Sequence, residues 1–164
     1  MKKLFRVILY LEPLAITANI TQSSFCRLDQ VLLTFGFLVM QYQNLNEDAI
    51  ACDAIINSLE LRWKKADQEL FIGAVLVNPF YRAEPFAPTH YMNIAGITSL
   101  LTRVWQRMNN ERNVPPGEFP AHIEDFLLGK GYYQDIRTQI TNEALHAQQV
   151  QFLLNIGELI LHIS

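Results

Sequence analysis

Apolar residues in this chain recur at three- and four-residue steps, the spacing of one face of an α-helix. Leu4, Val7, Ile8, Leu11, Leu14, Ala15 and Ala18 follow that rule in the first segment and predict a helix. Pro13 lacks a backbone donor, so it either kinks that helix or starts a second one. A second helix is predicted from about Cys26 to Gln43, capped by Ser23 or Ser24. Its inward side carries Leu28, Val31, Leu32, Phe35, Leu38 and Val39. The third pattern is the longest. Asn46 reads as its N-cap, with Glu47 and Asp48 against the positive end of the dipole. Ala51, Ile55, Leu59, Trp63, Ala66, Leu70 and Ala74 mark one face, and nothing breaks it before Asn78-Pro79.

Between Asn78 and Met92 the periodicity stops. Pro79, Pro85 and Pro88 fix the backbone, and Phe80, Tyr81, Phe86 and Tyr91 supply more rings than a solvated linker carries. This segment is expected to lie across helices with its aromatics inserted. A fourth helix follows from about Asn93 to Asn110, with Ile94, Ile97, Leu101, Val104, Trp105 and Met108 inward. Phe119 to Leu128 reads as a short helix stopped by Gly129. A last helix is predicted over roughly Tyr133 to His162. Its end, Phe152–Leu161, is apolar almost all round and expects partners on every side. No two-residue alternation is long enough for a sheet. The expected fold is all-α, an irregular bundle of about five or six helices with one long central helix.

Composition sharpens the picture. The chain has 164 residues, enough for one domain spanning 1–164. Half its residues are hydrophobic and 18% are charged, which excludes disorder as the main state. Its formal charge is −3, so no strong positive field is available to hold a polyanion. The opening Met1-Lys2-Lys3 and the apolar run after it have a slight look of a secretory signal. Arg6 interrupts that run and Glu12-Pro13 ends it, so a soluble intracellular protein with reduced thiols is expected. The next apolar run, Val31–Met40, is too short for a membrane span, which needs about 20 residues, and no membrane partner is expected.

Candidate chemistry is sparse. Gly129-Lys130-Gly131 lacks the glycine and hydroxyl residue of a phosphate loop. His90, His122, His146 and His162 are scattered, with no helical metal pair among them. Cys26 and Cys52 cannot build a cysteine zinc site and are expected as buried small residues. Asp29, Asp48, Asp53, Asp67, Asp125 and Asp135 invite a carboxylate–metal proposal, but Asp48 and Asp53 stand five apart and point to different faces. No metal or cofactor is expected. Arg62, Lys64 and Lys65, around Trp63, form the only local basic cluster and the sole candidate contact for nucleic acid. The plainer alternative is that Trp63 is core and its neighbours reach into water. An enzyme using Asp125, His122 and Tyr132 or Tyr133 is the weakest alternative.

Ser58-Leu59-Glu60-Leu61-Arg62-Trp63-Lys64-Lys65-Ala66-Asp67-Gln68-Glu69, then Phe71, then Leu76-Val77-Asn78-Pro79-Phe80-Tyr81-Arg82, resembles a stretch of hAT-type transposases, the Activator/hobo superfamily. Leu11-Glu12-Pro13-Leu14-Ala15, Cys26-Arg27-Leu28-Asp29-Gln30-Val31, Ala95-Gly96-Ile97 and Phe126-Leu127-Leu128-Gly129-Lys130-Gly131-Tyr132-Tyr133 fit the same order. The likeness spans most of residues 7–133 and fades beyond Asp135, so that 134–164 lies outside it. It implies the helical insertion of a ribonuclease H-like core, in a nuclear protein of a transposable element. The family's early aspartates would lie before Met1, and its late glutamate segment has no counterpart here. The resemblance therefore implies a non-catalytic fragment. Its partners would be the remaining transposase domains or a homo-oligomer joined through Phe152–Leu161, and it would bind nucleic acid weakly or not at all alone. Asp29 and Asn78 match motif positions, with no physical ground for calling either a metal ligand. A domesticated helical protein-interaction module is the alternative.

Overall fold

A computed structural model describes residues 2–45, 48–110 and 114–143 of the chain. Among them all regular structure is helical: α1 (Lys2–Thr21), α2 (Leu28–Gln43), α3 (Ala49–Trp63), α4 (Gln68–Leu76), α5 (Ile94–Met108), α6 (Phe119–Leu128), a 3-10 turn (Gly131–Tyr133) and α7 (Ile136–Glu143). The all-α class follows the helical periodicity. The chain divides into two compact units, one up to Phe71 and one from Ile72 onward.

In the first unit α2 packs against both α1 and α3. Being covered on two sides, it buries Leu33, Met40 and Tyr42 as well as Leu38 of the predicted stripe; Phe35 and Val39 of that stripe pack against the core, and Leu28 is exposed. Leu38, Tyr42, Cys52 and Leu59 form the core. α1 runs through Pro13 as one helix. The proline leaves the Leu9 carbonyl without its i+4 donor. The neighbouring carbonyl, of Tyr10, accepts from the Tyr42 hydroxyl at 2.6 Å, tying α2 to the disrupted turn. The side of α1 that packs carries Leu9, Tyr10, Pro13, Leu14 and Thr17. Of the apolar pattern that marks this helix, Leu14 packs against the core, whereas Leu4, Val7, Ile8 and Leu11 are at least half exposed.

The caps also differ from their expected places. α2 begins at Leu28, with the Arg27 backbone N–H held by Gln30 Oε1 at 2.9 Å, while Ser23 shapes only the turn before it by accepting from Phe25 N. Asp48 caps α3 by accepting from Ala51 N at 3.2 Å. Asn46 and Glu47 lie outside the described residues. The long central helix is absent as one piece, being broken at Lys64–Asp67 into α3 and α4. Here Lys65 N and Ala66 N bond tightly back to Arg62 O and Trp63 O, and Asp67 Oδ1 accepts from Leu70 N as a fresh cap. Apolar spacing survives such a turn, so periodicity alone reads straight across it. Trp63 sits against Phe35 and Phe71, each ring 6.1 Å away.

In the second unit Leu76, Ile97, Leu100, Leu101 and Ile123 form the core, with Ile72, Phe86, Met92 and Val104 around them. Asn93 caps α5 by accepting from Gly96 N at 2.8 Å. Ile94 and Met108, predicted inward, lie at the helix ends and are exposed. α6 ends at Leu128 because Gly129 takes the left-handed conformation, φ 63°. In the Asn78–Met92 segment Tyr81 is buried and Phe86 packs on the core, while Tyr91 is exposed. The predicted last helix is represented by α7. Its apolar end, Phe152–Leu161, lies outside the described residues, as do His146 and His162.

Candidate functional site

Charged and aromatic side chains meet in the second unit around Arg82. Asn78 builds the turn that delivers it. Its Oδ1 accepts from Phe80 N at 2.9 Å, and its carbonyl accepts from Tyr81 N and from Arg82 N, the latter at 2.8 Å. The turn closes with Arg82 at φ 52°, the left-handed region that non-glycine residues enter at a cost of about 1–2 kcal/mol. Long-range contacts hold it there. The Arg82 guanidinium carbon stands 5.2 Å from the centre of the Phe126 ring, and Nη2 donates to the Tyr133 carbonyl at 3.4 Å. Phe126 and Tyr133 meet edge to face at 5.4 Å. Gly129 leaves the space: a Cβ there would lie 2.7 Å from Arg82 Nη1.

A second guanidinium reinforces the junction. Arg137 on α7 donates from Nε to the Pro79 carbonyl and from Nη2 to Glu84 Oε1, both at 2.6 Å. Burial pushes the Arg82 pKa below its ordinary value, the Arg137 charge adds to this, and Glu84 opposes it. Guanidinium keeps its proton in proteins, so the shift marks a charge partly stripped of water. Among the described residues Arg82 Nε is buried with no hydrogen-bond partner. The arrangement pins the 78–84 turn onto α6, the 3-10 turn and α7. Among the described residues it aligns no nucleophile with a base.

The residues singled out from the sequence are dispersed. Arg62, Lys64 and Lys65 are exposed at the end of α3, whereas Trp63 between them is partly buried, with the Phe35 and Phe71 rings tilted against it. Asp29 is buried and paired with Arg27, Nε at 3.0 Å and Nη2 at 2.9 Å. Asp48 and Asp67 cap helices. His122 pairs with Glu118 at 3.7 Å on an exposed face and meets the Tyr133 ring at 6.4 Å. His90 stacks on Tyr91, ring centres 3.6 Å apart. Among the described residues no three His, Cys, Asp or Glu side chains converge as a metal site would require.

Cys52 is buried, its Sγ 3.6 Å from the Leu45 carbonyl, and Cys26 is half-buried. Burial, then Asp48 and Asp53, push the Cys52 pKa up, so the unreactive thiol form prevails. A cleft of about 150 Å³ runs beside α1, lined by Leu9, Pro13, Ile16 and Phe37 with Glu12 and Gln41 as its polar groups. Tyr42 also lines it, with its hydroxyl engaged by the Tyr10 carbonyl.

The Arg82 cluster escapes the sequence because its partners stand more than forty residues away. The one local hint was Arg82 at the end of the Asn-Pro-aromatic turn. Compared with protein-family models, with curated proteins and with solved structures, the chain matches none.

Proposed function

We propose that this chain is a non-catalytic helical scaffold of a hAT-type DNA transposase, corresponding to the helical insertion of the ribonuclease H-like core, and that it works in the nucleus as a brace rather than a cutter. One observation carries the reading. Two of the stretches that carry the family likeness, Asn78–Arg82 and Phe126–Tyr133, interlock through Arg82 and the space left by Gly129. Motif residues so engaged serve packing. The same is true of Trp63, clasped by two phenylalanines, and of Asp29, held by Arg27.

Genomic sequence on either side of the coding region tests the origin. Reading frames encoding the early aspartates upstream and the late glutamate downstream are expected; intact, unrelated genes on both sides would sink it. The purified chain with Mg²⁺ or Mn²⁺ is expected to leave supercoiled plasmid and inverted-repeat duplexes uncut. Metal-dependent nicking that co-purifies with the chain would refute the scaffold role.

A further inference from the structure

α7 is held differently from the other helices of the second unit. The core there, Leu76, Ile97, Leu100, Leu101 and Ile123, comes from α4, α5 and α6, and no residue of α7 joins it among those described. Of the side chains at 136–140 none is buried, and Thr138 and Gln139 are exposed. Eight residues are too few for a helix to persist by itself, since isolated helices below about 12–15 residues are marginal in water. Little apolar burial is available to supply what length lacks. Polar contacts from Arg137 supply it instead. Its Nε donates to the Pro79 carbonyl and its Nη2 to Glu84 Oε1, both at 2.6 Å. One planar guanidinium thereby grips both shoulders of the turn whose middle is Arg82 at φ 52°.

We propose that α7 is a conformational strap fastened by Arg137. Closed, it clasps the 79–84 turn as a helix; released, it unwinds while the core of α4, α5 and α6 stays folded. The fastening has two unequal halves. The bond to Pro79 has a neutral carbonyl as acceptor, so salt weakens it little. The Arg137–Glu84 pair is open to solvent, its side chains 40% and 60% exposed, and is screened by salt. The strap also closes against a like charge, because Arg137 acts on Arg82 and Glu84 only opposes that effect. When Arg137 lets go, the turn keeps its own holds, with Arg82 over Phe126 and bonded to the Tyr133 carbonyl. Local opening is drawn from segments with few buried contacts and solvent-exposed bonds, and α7 has both. The strap is independent of the proposed transposase origin.

Hydrogen–deuterium exchange of the full chain, read by mass spectrometry on peptides covering α5, α6 and α7, tests the strap. In the parent at low salt the α7 amides are expected to exchange more slowly than those of a free chain. Arg137→Lys keeps the charge and loses the fork, and should speed their exchange about tenfold, the scale of one lost charge-assisted bond. Glu84→Gln should speed it roughly two- to fivefold, the scale of an exposed ion pair. About 0.5 M NaCl should do the same to the parent and nothing further to Glu84→Gln. Exchange in α5 and α6 should stay at the parent's rate throughout. The salt arm needs no variant, so it holds even where a substitution disturbs folding. Unprotected α7 amides in the parent overturn the proposal. So does α7 exchange that neither Arg137→Lys nor salt changes. Equal acceleration of α5 and α6 also overturns it, because Arg137 would then support the whole unit rather than one releasable helix.

Discussion

Two glycines inside helices offer a sharp test of the second unit, because the same substitution is expected to act in opposite directions. Gly73 lies within α4 and Gly96 in the first turn of α5. Replacing a helical glycine by alanine stabilises by about 1 kcal/mol through helix propensity. At Gly73 a new Cβ would meet Leu101 Cδ2 at 3.5 Å, Val104 Cγ2 at 3.6 Å and Leu100 Cδ2 at 3.7 Å, ordinary contact distances. The methyl fills space beside the core, so Gly73→Ala should raise stability by about 1 kcal/mol. At Gly96 a Cβ would lie 2.1 Å from the Tyr91 carbonyl oxygen and 2.8 Å from its carbon, both backbone atoms. Tyr91 sits in the turn closed by Met92 N on Thr89 O at 3.0 Å, immediately before the Asn93 cap. Relief requires moving that turn. Overpacking costs about 1–3 kcal/mol, and disturbing the Asn93 cap about 1 kcal/mol more. Set against the propensity gain, Gly96→Ala should lose about 1–3 kcal/mol. For a unit of this size that is a fall in Tm of the order of 5–20 °C. Urea denaturation of both variants, followed by far-ultraviolet circular dichroism, reads the difference. A Gly96→Ala protein as stable as the parent, or a Gly73→Ala protein weaker by about 1 kcal/mol, would refute the reasoning.

Other expectations follow from single contacts. Tyr42→Phe removes the donor to the Tyr10 carbonyl beside Pro13 and should cost about 1–2 kcal/mol in the first unit, measured by the same denaturation. A cost within about 0.3 kcal/mol of zero would show that the bond to the disrupted turn contributes nothing. Burial raises the pKa of Cys52 above 9.0 and that of Tyr42 above 10.0. The native state therefore holds both protons more tightly than the unfolded chain. The resulting stability is present below pH 9.0 and is lost as pH rises through the raised native values. The urea midpoint should fall with pH above 9.0, and the fall should be shallower in Tyr42→Phe. At about pH 8, below the ordinary thiol pKa, a maleimide should label Cys26 well before Cys52; equal rates would contradict the packing of Cys52. Gly129→Ala should cost about 1–2 kcal/mol, from the left-handed backbone and the displaced Arg82 guanidinium. Arg82→Ala in that background should add less than it does alone, a coupling read by a double-mutant cycle.

Local chemistry made much of this chain legible. Steps of three and four residues specified helices throughout, Gly129 ended α6 where a left-handed residue is needed, and Asn93 capped α5. Each is decided within one or two turns of backbone. Where several local solutions were equally good, the pattern misled. The spacing from Ala51 to Ala74 continues across Lys64–Asp67, so it did not register a break made by short-range hydrogen bonds and a new cap at Asp67. α1 and α2 are apolar on more than one side, and only the position of their neighbours chose which side to bury. In α1 that choice left the most regular stripe outside. The Arg82 junction was beyond local reading because Phe126, Tyr133 and Arg137 approach it only through the packing of distant segments.

The sequence by itself determined that the chain is helical and where most of its helices lie, because backbone hydrogen bonding and side-chain period act between residues a few positions apart. Tertiary structure alone decided which faces are covered, which glycine tolerates a methyl group, and which arginine is held against an aromatic ring. Those outcomes depend on the distance between atoms far apart in the chain, and no local pattern encodes that distance.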